Sequence, residues 1–431
     1  MFLRLGLAIL LLATSVAAQQ FISVRGHHLI RGNKIYRFVG TNYWYGPLIA
    51  LDKKGQQRLT HELDFLSANG VTNVRVLAGS EGSGPINGVT RVGPPLQPEL
   101  RKLDAAVLTG LDRLLAELKK RQMTAVIFFS NNWEWSGGFQ QYLIWNGLEP
   151  ARFITDKPTW DEYCDLVSQF YSCEPCIAAY KKQVELILDR TNSITRRRYI
   201  DDPTILAWEL ANEPRPMRES ANVAYQKWIS VTARFIKSKD PHHLVTTGHE
   251  GTIVSGGADL YEAVHRDRNI DYLTVHIWPK NWAWFMGDKL ADGFQNVLTK
   301  TKDYIDENLA VARRLDKPLV IEEFGLPRDG IRFDAGSPTG FRDAFYAWVL
   351  LHIGGQKDKW SSDHIAGANF WAFAGSARPI NGQVFWKSGD AYLGDPPMEE
   401  QGLNSVYDTD TSTWKITRLA SQAITRQNRE Q

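Results

Sequence analysis

Trp208-Glu209-Leu210-Ala211-Asn212-Glu213-Pro214 and Lys317-Pro318-Leu319-Val320-Ile321-Glu322-Glu323-Phe324-Gly325 are two short apolar runs that each end on a carboxylate. Runs of this length, set between helical patterns, read as parallel strands buried on both faces. Six further segments read the same way: Tyr36–Asn42, Thr72–Leu77, Thr124–Phe129, Leu244–Gly248, Tyr272–His276 and Ala366–Trp371, with Ile205–Glu209 and Leu319–Glu323 completing eight. Amphipathic helical patterns lie between them, at Arg58–Asn69, Leu103–Arg121, Tyr180–Arg190, Val223–Lys237, Val297–Leu315 and Arg342–His352. Strand followed by helix, repeated around the chain, predicts an α/β fold of the (β/α)8 barrel type, the TIM barrel. The rival, an open doubly wound sheet, is weakened because no Gly-x-Gly-x-x-Gly turn follows the first strand.

Ahead of the first barrel strand, Phe21–Arg25 and His28–Arg31 alternate as a small N-terminal hairpin, expected to plug the barrel's bottom. Three connections are long, residues 130–204, 277–318 and 372–412. All three leave the carboxyl ends of strands, so these long loops should wall a cleft at the C-terminal face. Residues 1–18 read as a secretory signal: Arg4, an apolar run over Leu5–Leu12, and the small residues Val16-Ala17-Ala18. Residues 19–431 then read as one catalytic domain of a secreted protein, extracellular or periplasmic.

The 431 residues carry a net charge of only +2, which gives no reason to expect nucleic acid or an anionic membrane as partner. Nothing in the sequence calls for an oligomer, and a monomer is expected. The Gly-rich stretch Gly79–Gly84 lacks the Gly-Lys-Ser/Thr ending of a phosphate loop, so no cofactor is expected. Cys173-Glu174-Pro175-Cys176 has the spacing of redox and zinc motifs but no second Cys pair or nearby His. A local disulfide is the favoured reading, with Cys164 free or competing, and no metal site is expected.

Two carboxylates facing one barrel mouth can flank a single bond, the minimal machinery for cleaving a glycoside. Glu213 is the candidate acid/base; it must hold a proton near neutral pH, which burial and a neighbouring negative charge would favour. Glu323 is the candidate nucleophile and must be ionised. Glu209 and Glu322 compete for these roles, but neighbours on a strand face opposite ways, so Glu322 and Glu323 should not both reach substrate. The 15 Trp fit a sugar-binding cleft. Trp44, Trp133, Trp135, Trp145, Trp282, Trp284 and Trp386 all follow strand ends, and at least three should touch substrate. Asn131 and Asn132 beside Trp133 suit sugar hydroxyls.

These motifs resemble glycoside hydrolase family 5, and within it most closely the β-1,4-mannanases. The resembling segments are Gly40-Thr41-Asn42-Tyr43-Trp44, Trp208 to Arg215, His276-Ile277-Trp278-Pro279 and Gln401 to Tyr407. The resemblance implies hydrolysis of internal β-1,4-mannosidic bonds of mannan, glucomannan or galactomannan with retention, Glu213 as acid/base and Glu323 as nucleophile. It also implies that Arg75 hydrogen-bonds the nucleophile and lowers its pKa, that Asn212 binds the sugar's 2-hydroxyl, that His276 lies near the acid/base and that Trp371 floors the reacting subsite. Trp278 stands where many members have Tyr; indole can donate a hydrogen bond but not accept one. The alternatives on the same barrel are a β-1,4-glucanase and an exo-β-mannosidase.

Overall fold

The computed structural model describes residues 20–154, 156–253, 256–353 and 363–430. The signal-like segment 1–18 lies outside them. Eight parallel strands form one sheet: β1 (Phe38–Asn42), β2 (Asn73–Leu77), β3 (Thr124–Phe128), β4 (Ile205–Glu209), β5 (Leu244–Thr246), β6 (Leu273–Ile277), β7 (Leu319–Phe324) and β8 (Ile365–Phe370). Neighbours in sequence are neighbours in space, and β8 pairs with β1. Among the described residues no regular ladder runs between β5 and β6. The circle closes there through Asp271 N–H to Val245 O, 2.8 Å, and His276 N–H to Glu250 O, 2.8 Å. The Thr246 and Thr274 hydroxyls add bonds to Tyr272 O and His249 O. The expected (β/α)8 barrel is therefore present, and every barrel-strand residue is buried. Strands covered by helices outside and side chains inside need no polar alternation, which is why they read as continuous apolar runs.

The surrounding helices are α1 (Lys53–Ala68), α2 (Ala105–Lys120), α3 (Glu174–Leu188), α4 (Asn222–Lys239), α5 (Gly257–His265), α6 (Leu290–Leu315), α7 (Gly340–Ile353) and α8 (Thr411–Glu430). Local chemistry sets their starts. The Asp52 carboxylate accepts from Gly55 N–H at 2.7 Å, and Asp104 accepts from Ala106 and Val107 N–H. α3 starts six residues before the periodicity predicted, because Cys173 Sγ accepts from Cys176 N–H and Pro175 sits in the first turn. The Cys173–Cys176 disulfide forms there, and Cys164 is free and buried. No membrane-length apolar helix occurs among the described residues.

The N-terminal hairpin pairs Ile22–Arg25 with His28–Arg31 and extends to Lys34–Ile35. Ile22 and Leu29 bury against Phe38, Val126, Leu206, Leu244, Tyr272, Val320 and Ala366, near the amino ends of the strands. That is the expected plug, and it leaves the opposite mouth for the site.

One buried acid whose carboxylate receives no hydrogen bond from a cation among the described residues stabilises the loop after β3. Glu81 accepts from Gly138 N–H at 3.1 Å and Gln183 Nε2 at 3.0 Å, and burial pushes its pKa up to about 7. A carboxyl raised above its unfolded value of ~4.3 favours folding below that value and loses this contribution as pH rises to about 7. Relative to Glu81→Gln, the wild type should lose about 3 kcal/mol of stability between pH 4.5 and 7. Urea unfolding of both proteins across that range measures the difference, and parallel curves would refute it.

Candidate active site

A cavity of about 550 Å³ opens at the carboxyl ends of the strands. A larger groove of about 670 Å³ lies on the barrel flank between α3 and α4, but it holds none of the strand-end carboxylates. The chemistry therefore belongs to the smaller cavity. Its lining includes Glu213, Glu323, Asn212, Trp133, Trp278 and Trp371, residues from five different strand ends.

Glu213 leaves β4 in the left-handed region, φ 49°, a conformation that costs a non-glycine residue of order 1 kcal/mol. The turn is held from both sides, by Glu213 N–H to Gly248 O at 3.0 Å and Asn212 N–H to Ser130 O at 2.9 Å. Its carboxylate receives two donors: Trp133 Nε1 at 2.5 Å and His276 Nδ1 at 2.6 Å. Burial holds His276 well below the usual imidazole range, helped by the Arg75 charge, so the ring is neutral. Its single proton is assigned to Nδ1 by this geometry. The same Nδ1 lies 3.3 Å from Glu323 Oε2, which ties both carboxylates to one ring.

Beneath them sits Arg75, fully buried. A guanidinium has five N–H donors, and all five are used. Nε and Nη2 grip Glu209 at 2.8 and 2.6 Å, Nη2 also reaches Asn212 Oδ1 at 2.7 Å, and Nη1 binds Asn42 Oδ1 at 3.1 Å and Glu323 Oε1. This fixes the Asn212 amide: its oxygen faces Arg75, and its NH2 gives one hydrogen to Asn131 Oδ1 at 3.0 Å, leaving the other for a ligand. Glu322 also enters this cluster, 3.7 Å from Arg75 Nε and 3.6 Å from His276 Nε2. Strict alternation predicts that it faces away. The β6–β7 register instead skips Glu322, Val275 pairing with Ile321 and His276 with Glu323. That bulge turns both carboxylates inward. Only Glu323 lines the cavity.

Arg75 lowers the nucleophile's pKa, as expected, but does not hold it low. Burial pushes Glu323 well up, and the Arg75 charge opposes this without overcoming it. Nearby Glu213, Glu322 and Glu209 add to the rise. Glu322 is likewise pushed well up by burial and by Glu209. One guanidinium cannot keep this many buried carboxylates ionised. Of the three beside it, Glu322 alone receives no hydrogen bond from Arg75, so the retained proton belongs there.

Trp371 lies on the cavity floor at the end of β8, with Trp278 edge-on to it at 5.8 Å. The glycine of Glu323-Phe324-Gly325 has a steric reason: a Cβ on Gly325 would meet Trp278 Cζ3 at 2.7 Å. Trp133, Trp135 and Trp282 line the cavity. Trp44 does not. It is 1% exposed, gives its N–H to Gly394 O at 2.7 Å and packs edge-on against Trp135, so it supports the wall from behind. Trp145, Trp284 and Trp386 also lie outside the lining. Asn131 and Asn132 are fully buried and act on the protein itself: Asn131 orients Asn212, and Asn132 Oδ1 accepts from Arg215 N–H. Sequence reasoning missed Trp160, 57% exposed at the start of a helix inside the long loop, and the pair of half-buried Arg215 and buried Glu250. Arg215 stacks over Trp133 at 4.8 Å while gripping Glu250 through Nε and Nη2. The signal for that pair, an Arg beside the Asn-Glu-Pro turn, was visible; its partner after β5 carried none.

The family described as GH family 5 beta-mannosidase-like matches residues 19–429. The chain belongs to glycoside hydrolase family 5. It is a glycoside hydrolase. Relatives in the family include mannan endo-1,4-beta-mannosidase 1 of Oryza sativa subsp. japonica, 28% identical over 77% of this chain and 74% of its own length. Mannan endo-1,4-beta-mannosidase 1 of Solanum lycopersicum is 29% identical over 81% of this chain and 83% of its own. Among solved structures, a family 5 mannosidase from Rhizomucor miehei superposes with a TM-score of 0.85 at 29% identity, covering 95% of this chain and 99% of that one.

Proposed function

We propose that this family 5 chain hydrolyses the β-1,4-mannosidic bonds of mannan-type polysaccharides with retention of configuration. The observation that carries the reading is spacing. One oxygen of Glu213, one of Glu323 and a His276 nitrogen lie within 4.8 Å of one another. Double displacement uses carboxyls ~5–5.5 Å apart, whereas inversion needs ~6.5–9.5 Å to admit a water. In the first step Glu323 attacks the anomeric carbon and Glu213 gives its proton to the departing glycosidic oxygen. In the second, Glu213 takes a proton from water, whose oxygen displaces Glu323 from the sugar. The free N–H of Asn212 is available to the 2-hydroxyl, Trp371 offers a flat apolar face, and Trp133 and Trp278 flank the site. The names of the relatives support mannan as substrate, and the two named for mannan support endo action. Export, expected from residues 1–18, fits a polymeric substrate.

A second reading, exo action, is favoured by one feature of the cavity. Its lining comes from the segments after β3 to β8, and none comes from those after β1 and β2. On that side Pro396, Met398 and Glu399 form a wall, strapped down by Trp44 Nε1 to Gly394 O and by Tyr392 OH to Gly93 O. Asp395 secures it further, accepting from Gly402 N–H, Asn404 N–H and the Ser405 hydroxyl. A shut end admits a chain terminus and stops a through-running chain. Digestion of mannohexaose, followed by chromatography and by NMR of the fresh anomer, tests both readings. Endo action gives mannobiose and mannotriose early; exo action gives mannose and mannopentaose. Initial release of the α-anomer would overturn retention.

A further inference from the structure

At the barrel end opposite the catalytic cavity, three distant chain segments converge. His27 lies in the turn of the N-terminal hairpin, Asp316 follows the last turn of α6, and His364 immediately precedes β8. His27 Nδ1 and Asp316 Oδ1 are 2.9 Å apart. The His27 and His364 rings stack with centroids 4.0 Å apart and planes 12° from parallel. One donor atom from each of the three lies within 4.8 Å of the others.

Asp316 occupies a conformation that favours glycine. Its φ is 49°, the left-handed region in which helices commonly place Gly just past their last turn. The carboxylate leans over the hairpin turn, where a Cβ on Gly26 would come within 3.3 Å of Asp316 Oδ2. The αL turn at the end of α6 thus delivers a carboxylate to two imidazoles carried by other segments.

We propose that His27, Asp316 and His364 bind a divalent transition-metal ion, Zn²⁺ being the representative, with water completing the coordination. Two imidazoles and one carboxylate suit Zn²⁺ and its neighbours; the oxygen-seeking Mg²⁺ finds one carboxylate too few ligands. Tetrahedral coordination at ~2.0 Å needs donors about 3.3 Å apart. Reaching that separation takes small side-chain rotations of His27 and Asp316, whose side chains are 28% and 69% exposed. The ion ties the plugging hairpin to the starts of β7 and β8, so it binds the folded chain alone and stabilises it.

A second trio, Glu213, His276 and Glu323, is equally close-set, so the test separates the two. Tag-free protein is melted with and without ZnCl2, and Zn²⁺ binding is followed by calorimetry. The wild type should bind one Zn²⁺ at this site and gain about 3 °C in Tm at saturating ion. His364→Ala and Asp316→Asn should fold and lose the gain, while Glu323→Gln keeps it, and MgCl2 should give none. A wild type without the gain, a gain that survives His364→Ala, or one that disappears in Glu323→Gln would each overturn the assignment.

Discussion

Glu323→Gln is expected to lower kcat on mannan by about 10⁵-fold while leaving the melting temperature within a few degrees of wild type. That loss corresponds to about 7 kcal/mol of transition-state stabilisation, the scale of removing the group that forms the covalent intermediate. The amide keeps the shape of the carboxyl and can still accept from Arg75 Nη1, so the fold has no reason to fail. Glu213→Gln should behave differently. Mannan, whose leaving group needs a proton, should lose about 10³-fold in kcat. An aryl mannoside whose phenolate leaves unaided should form its glycosyl-enzyme almost normally and then stall at hydrolysis, giving a burst and a lowered KM. Steady-state and stopped-flow assays on both substrates read these patterns. Turnover of mannan by Glu323→Gln within tenfold of wild type would sink the assignment of roles.

The barrel was legible in the sequence because its strands are buried on both faces, and all eight predicted segments overlap the observed ones. Helix α5 was missed: nine residues, Gly257–His265, carry too few turns for a convincing period. Among site residues, those attached directly to strand ends were legible, since the strand itself aims them. Glu213, Glu323, Asn212, Arg75, His276 and Trp371 all meet around one mouth. Loop residues were legible only in part, because a loop's path is set by tertiary contacts: Trp133, Trp135 and Trp282 line the cavity, whereas Trp44, Trp145, Trp284 and Trp386 do not. Trp44 and Trp160 make the contrast: the first, next to β1, is sealed by the strap from residues 392–405, and the second, within a long insertion, reaches the cavity. The alternation rule failed at Glu322 because a bulge is a pairing defect between β6 and β7, and no property of β7 alone announces it.

Arg75→Lys should abolish most activity and cost about 3 kcal/mol of stability at pH 7, although it preserves the charge. An ammonium has three donors against five, and here five acceptors wait in fixed positions, so at least two buried oxygens lose their partner. The catalytic consequences follow from which oxygens those are. Losing the bond to Asn212 frees the amide that offers its N–H to the sugar; losing the bond to Glu323 frees the nucleophile to turn toward His276. Arg75→Met separates charge from packing. It leaves Glu209, Glu322 and Glu323 buried without a counterion, and each is already pushed up by burial. Without the guanidinium they rise further, so the unfolded chain gives up protons first and the variant weakens as pH increases from the acid side through the carboxylate range. Its deficit against wild type should therefore be largest near neutrality and shrink as the carboxyls are protonated. A cavity or packing defect would cost the same at every pH. Urea unfolding of Arg75→Met between pH 4 and 8 distinguishes the two, and a deficit that stays constant would show that Arg75 fills space without governing the charge of the site.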